Sequence, residues 1–187
     1  MTQRTSTMAA ITVAGLLAVL APAFAANDTT KQDSKFAMEA AQGGMMEVEL
    51  GTLAAQKASN QAVKDFGQRM VTDHGKANQQ LLQIASQKGM SLPKTLPADK
   101  QQHSQKLAAA SGAEFDRMYM SHMLMAHDKD LKEFEKQAKS GADPALRSFA
   151  EQTLPVLRQH MELAKTVGAQ VGADKGDHGD HGNHGAH

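Results

Sequence analysis

Cysteine is absent from the 187 residues. Its absence excludes disulfides, thiolate metal ligands, thiol nucleophiles and the lipid-modified cysteine of a lipoprotein. Redox chemistry at sulfur is left to methionine, of which there are 12. Net charge is missing too: Lys plus Arg and Asp plus Glu stand at 20 each. No overall field therefore favours nucleic acid, an anionic membrane or an acidic ligand. The chain has no phosphate-binding glycine loop, no nucleophile elbow and no H-E-x-x-H helix, so hydrolase and transferase readings have no residues to stand on. No catalytic residue and no organic cofactor is assigned. Nothing reads as a β-strand.

The N-terminus is apolar. Met8 to Ala21 follows the single charge of Arg4 and leads into Pro22-Ala23-Phe24-Ala25. Small residues at Ala23 and Ala25 give the A-x-A spacing of a secretory signal cut after Ala25, and the run is shorter than the roughly 20 residues a spanning helix needs. Residues 1–25 are thus expected to be a signal peptide, 26–33 a flexible lead-in and 34–168 one folded domain. Residues 169–187 form a glycine- and histidine-rich tail expected to be disordered. No later segment is apolar enough to span a bilayer, which points to a periplasmic or secreted protein.

Helix punctuation divides the domain. Ser34 is placed to cap a helix over Lys35–Ala58, and Ser59-Asn60 breaks the run and opens a second over Gln61–Lys88, which Gly89 ends. Pro93 and Pro97 forbid a continuous helix after that, while Ala98–Ala110 can form a short one. Ser111-Gly112-Ala113-Glu114 has capping-box spacing and starts a third long helix to Ser140; Asp143-Pro144 starts a fourth, to about Val167, with Pro155 inside it. Two short connections and one long one predict an all-α, ferritin-like four-helix bundle with a crossover between its second and third long helices.

Polar residues interrupt the apolar stripes. The second helix reads Val63, Phe66, Met70, His74, Ala77, Leu81, Ile84; the third Met120, Met123, Leu124, His127, Leu131, Phe134; the fourth Leu146, Phe149, Thr153, Leu157, His160, Ala164, Val167. Each aims one imidazole inward. In the first helix Glu49 lies between Met45 and Leu53 and is expected to point inward, with Glu47 almost opposite. Glu49, His74, His127 and His160 are therefore the candidate core ligands for a divalent transition metal such as Zn, Cu, Ni or Fe. Their depths disagree: counted from the short turns, Glu49 and His74 differ by about five residues, or ~7 Å. The competing explanation is that each histidine is satisfied by a neighbouring group such as Glu49, Asp73 or Tyr119.

Two weaker patterns stand outside the core. Met118, His122 and Met125 share a second face of the third helix; soft sulfur would suit Cu(I), but packing beneath the segment between Met90 and Ala110 is the stronger reading, since methionines fill such gaps well. His178, His181, His184 and His187 recur every third residue beside Asp177 and Asp180, and flexible imidazoles at that density chelate divalent metals with little selectivity.

Four runs carry a resemblance: Gly43-Gly44-Met45-Met46-Glu47-Val48-Glu49-Leu50-Gly51, Met70-Val71-Thr72-Asp73-His74, Ser111-Gly112-Ala113-Glu114-Phe115-Asp116 and Leu154-Pro155-Val156-Leu157-Arg158-Gln159-His160. Over roughly 35–168 the chain resembles the bacterial DUF4142 family. That implies a ferritin-like fold and export, and no activity. The E-x-x-H pairs of di-iron bundles are missing, since Val71 and Leu157 stand three residues before His74 and His160. Two functions follow as expectations: periplasmic metal binding or stress response through the inward cluster and the tail, or a non-catalytic structural or interaction bundle whose histidines only satisfy the core. A homodimer is open to it if the broad apolar arc of the first helix meets a second copy.

Overall fold

The computed structural model describes residues 30–173. The expected leader at 1–25 and the tail repeat of His178, His181, His184 and His187 lie outside the described residues. Five helices follow one another: α1 (Lys31–Lys57), α2 (Gln61–Gln87), α3 (Ala98–Ala109), α4 (Gly112–Ser140) and α5 (Pro144–Val171). The described residues contain no strand. α1 pairs with α2 and α4 with α5, and contacts of α2 with α5 and of α1 with α4 close the bundle. The short α3 lies in the long crossover and packs on α1 and α4. No described helix is long and apolar enough to cross a membrane.

Most helix ends follow their capping residues. The Asn60 side chain accepts from the Ala62 N–H at 2.8 Å. Asp143 accepts from Ala145 and Leu146, with Pro144 at the first helical position, and Gly89 takes a left-handed φ of 64° after α2. α5 continues through Pro155 to Val171, where Gly172 caps it at φ 69°. Three ends differ from expectation. α5 runs four residues past the expected end at Val167, into the start of the tail expected to be disordered at 169–187. α1 starts at Lys31, because Thr30 and Asp33 form the capping box there and Ser34 lies inside the helix. Ser111 does stand at the N-cap of α4, but its hydroxyl makes no capping bond.

Two buried aspartates lock the turns. Asp33 accepts from Gln137 Nε2 at 2.6 Å and from the Ala142 N–H at 3.1 Å, tying the start of α1 to the α4–α5 turn. Asp116 accepts from the backbone N–H groups of Ser59 and Asn60 at 3.0 and 2.8 Å, tying the α1–α2 turn to α4. A buried carboxylate with several donors is satisfied and fixes the position of both partners.

The α1–α2 contact is built on small residues. A Cβ added at Gly51 would stand 2.7 Å from the Gly67 carbonyl oxygen, and one added at Gly67 the same distance from the Gly51 carbonyl oxygen. The two backbones therefore approach as closely as glycine allows. The core falls into two apolar clusters. One holds Leu50, Phe66, Phe115, Tyr119, Met123 and Ala164; the other holds Phe36, Leu81, Phe134, Phe149, Leu154 and Leu157. Along α2, α4 and α5 respectively, His74, His127 and His160 fall between the members of the first cluster and those of the second, and Glu47 of α1 stands at the edge of the first, beside Met46. They form a polar layer inside the bundle.

Candidate metal centre

Three of the four expected core ligands meet. The rings of His74, His127 and His160 have centroids 5.2 to 5.6 Å apart, and one ligand nitrogen from each lies within 4.8 Å of the other two. All three side chains are buried. Each comes from a different helix, so the cluster exists only once the bundle has closed.

The fourth expected ligand does not join them. Glu49 is exposed and accepts a hydrogen bond from the Ser104 hydroxyl of α3. Glu47 takes the inward place, at 2 % exposure. Its Oε2 lies 2.9 Å from His74 Nδ1 and its Oε1 lies 3.7 Å from His127 Nδ1. The reversal has a physical cause. The buried residues of α1 include Ala37, Ala41, Gly44, Gly51 and Ala54 beside the larger Phe36, Met46 and Leu50, and the small ones bring little hydropathy to the side of the helix that Glu47 shares. Met45 and Leu53, the larger residues that flank Glu49, are only half-buried. Counting from Glu47 also narrows the depth mismatch with His74 from about five residues to about three, ~4.5 Å of rise.

The partners assign the tautomers. His127 Nδ1 is 2.9 Å from the Met123 carbonyl oxygen, which can only accept, so Nδ1 carries the proton. His160 Nε2 is 2.9 Å from Asp73 Oδ2. Burial raises the Asp73 pKa, but its bond and attraction to His160 and the nearby Arg69 outweigh that and hold it below the usual value. Asp73 is thus an ionised acceptor and His160 Nε2 is the donor. Burial depresses the pKa of His127 and of His160 to about 4, and that of His74 is lowered by burial as well. Near neutral pH the rings are uncharged, with one N–H each.

The consequence lies between the rings. His127 Nε2 and His160 Nδ1 face each other at 3.3 Å, and the assigned tautomers leave no proton between them. His74 Nε2 is buried without a hydrogen-bond partner, while its Nδ1 is the nitrogen turned toward Glu47. Opposed lone pairs repel, and a buried unpartnered acceptor is costly. A cation between the nitrogens removes both penalties. Two nitrogens bound to one ion at about 2.0–2.1 Å with tetrahedral angles stand about 3.3 Å apart, so the His127–His160 spacing matches, while His74, within 4.8 Å of both, would close in to join them. The outer nitrogens turn to a carboxylate, a carbonyl and a second carboxylate, the arrangement that orients imidazole ligands on metals. Glu47 and Asp73 are thus orienting groups here. Tyr119, another partner considered for the histidines, keeps its buried hydroxyl without a hydrogen bond.

Asp130, one turn along α4 from His127, completes the surroundings. Burial, and next the charge of Glu47, push its carboxyl well above the usual range; burial raises Glu47 as well, opposed by His127 and a hydrogen bond to Asp130. Glu47 and Asp130 form part of the wall of a 280 Å³ pocket at the α1–α4 seam. On the inner side Glu47, His74 and Asp130 border a cavity of 20 Å³, about the size of one water. Asp130 was readable as the i+3 neighbour of His127, though no inward apolar stripe marks it.

Comparison with known proteins follows the fold. Residues 19–167 match the model of the family described as domain of unknown function DUF4142, and the chain belongs to that family. Among the curated proteins none matches. Two solved structures share the fold: a DUF305 fragment from Deinococcus radiodurans, at TM-score 0.66 and 11 % identity over 76 % of this chain and 98 % of that one, and a DUF305 protein from Streptomyces coelicolor described as a candidate secreted protein, at TM-score 0.66 and 13 % identity over 79 % and 96 %.

Proposed function

We propose that the chain is an exported metal-binding protein that holds one divalent transition-metal ion inside the bundle through His74, His127 and His160. Glu47 and Asp73 set the ring orientations, and the tail histidines His178, His181, His184 and His187 collect metal from solution. The observation that carries this is the pair of unprotonated nitrogens 3.3 Å apart on His127 and His160, with a third imidazole closing the set. Export rests on the signal-like residues 1–25 and agrees with the secreted description of the Streptomyces neighbour. Three imidazoles suit zinc, copper, nickel or iron. Binding, as storage, buffering or protection under metal stress, is the role these residues support.

Metal retention after dialysis separates the two classes of site. The full chain is expected to keep one tightly held zinc per molecule, to keep it when the four tail histidines are replaced by alanine, and to lose it in His127→Ala. Zinc that disappears with the tail substitutions and is unaffected by His127→Ala would instead make the core histidines purely structural.

A further inference from the structure

The Met118, His122, Met125 motif of α4 is not absorbed by the buried cluster, and the fold rearranges it. Met118 packs against the apolar core. His122 instead meets His103 of α3, their ring centroids 4.6 Å apart at an interplanar angle of 39°. Met125, one turn beyond His122, lines the same 280 Å³ pocket as that histidine. His103, His122 and Met125 are all half-buried, so the group lies at the surface of the bundle rather than in its core.

α3 is held firmly enough to present His103. The Ser104 hydroxyl donates to Glu49, and Lys57 Nζ donates to the carbonyls of Ala108 and Ala110 at 2.6 and 2.5 Å. Glu49, misplaced as a core ligand, therefore anchors the helix next to this histidine.

We propose that His103, His122 and Met125 form a second metal site, separate from the buried imidazoles, that takes a soft monovalent ion, Cu(I) or Ag(I). A thioether is a poor donor to hard ions and a good one to Cu(I), and imidazole binds copper readily. All three ligands are neutral when they bind. The pocket beside them sets Glu39, Glu47 and Asp130 against Lys100 and Lys129, so its wall carries little net charge. Such surroundings neutralise one positive charge more readily than two.

Silver nitrate, a redox-inert stand-in for Cu(I), tests the site on the full chain by NMR of methionine methyl and histidine ring resonances. The Met125 methyl and the His103 and His122 rings are expected to shift together and saturate at one equivalent for this site. Met125→Leu, which conserves volume and apolar character, is expected to weaken that step at least tenfold, and His103→Gln to do the same. A Met125 methyl that stays in place while other resonances respond, or an unchanged affinity in Met125→Leu, would overturn the proposal. A zinc titration of the same sample, read at His74, His127 and His160, reports on the buried cluster independently, so failure at either site is distinguishable from failure at the other.

Discussion

Glu47 and Glu49 are two residues apart on one helix and have opposite fates. Replacing Glu47 by Gln removes the carboxylate beside His74 Nδ1, and loss of such an orienting group is expected to lower zinc affinity by about 10–100-fold. Glu49→Gln, at an exposed residue whose carboxylate accepts from Ser104, should leave zinc affinity unchanged; isothermal titration of both variants checks the contrast. Acid should act through the histidines. The folded-state pKa values of His127 and His160, about 4, lie below the ordinary 6.5, so the unfolded chain binds more protons across that window. The histidines' contribution to the stability of the metal-free fold is then expected to be complete above about pH 6.5 and to be lost as pH falls toward 4, while the raised carboxyls of Glu47 and Asp130 act in the opposite sense. Urea denaturation at pH 7, 5.5 and 4.5 measures the loss. The three histidines were legible in the sequence because an imidazole within a stripe of Met, Leu and Phe breaks an obvious pattern. Glu47 was not, because Gly44 and Gly51, buried one turn to either side of it, add almost nothing to an apolar stripe. Hydropathy weighs side-chain size, and this face is buried by close approach.

At the scale of helices, the four long segments and the short one in the crossover could be read from proline, glycine and capping residues, since those act locally. The register between helices could not. It depends on which backbones touch, and here Gly51 and Gly67 decide it. Gly51→Ala and Gly67→Ala each force a Cβ to within 2.7 Å of a carbonyl oxygen and are expected to cost about 1–3 kcal/mol by overpacking. Gly75, beside His74 in α2, has nothing within 4 Å of its would-be Cβ. Gly75→Ala should therefore stabilise the protein by about 0.5–1 kcal/mol through helix propensity alone. Thermal unfolding of the three variants checks both signs. The first turn of α1 was missed for a related reason. Asp33 looked like part of a polar lead-in, yet it is buried by Gln137 and Ala142, more than a hundred residues away.

For the whole molecule, a bundle with two apolar clusters has a polar layer between them, and that layer takes one residue from each long helix. A polar layer in a core weakens the fold unless its members are satisfied. Here His127 and His160 turn their outer nitrogens to acceptors and His74 turns Nδ1 toward Glu47, while their inner nitrogens face one another at one point in the interior with no donor between them. The fold shared with the two DUF305 structures supplies the frame at 11–13 % identity and says nothing of that point. The layer is where this sequence departs from a plain helical bundle.

Zinc-edge X-ray absorption on the full chain carrying the four tail substitutions and loaded with one equivalent of zinc tests the centre most directly. Three imidazole nitrogens at about 2.0–2.1 Å, with one oxygen ligand filling the remaining position, is the expected coordination. A spectrum of zinc surrounded only by water and carboxylate oxygens, with no imidazole scattering, would contradict it.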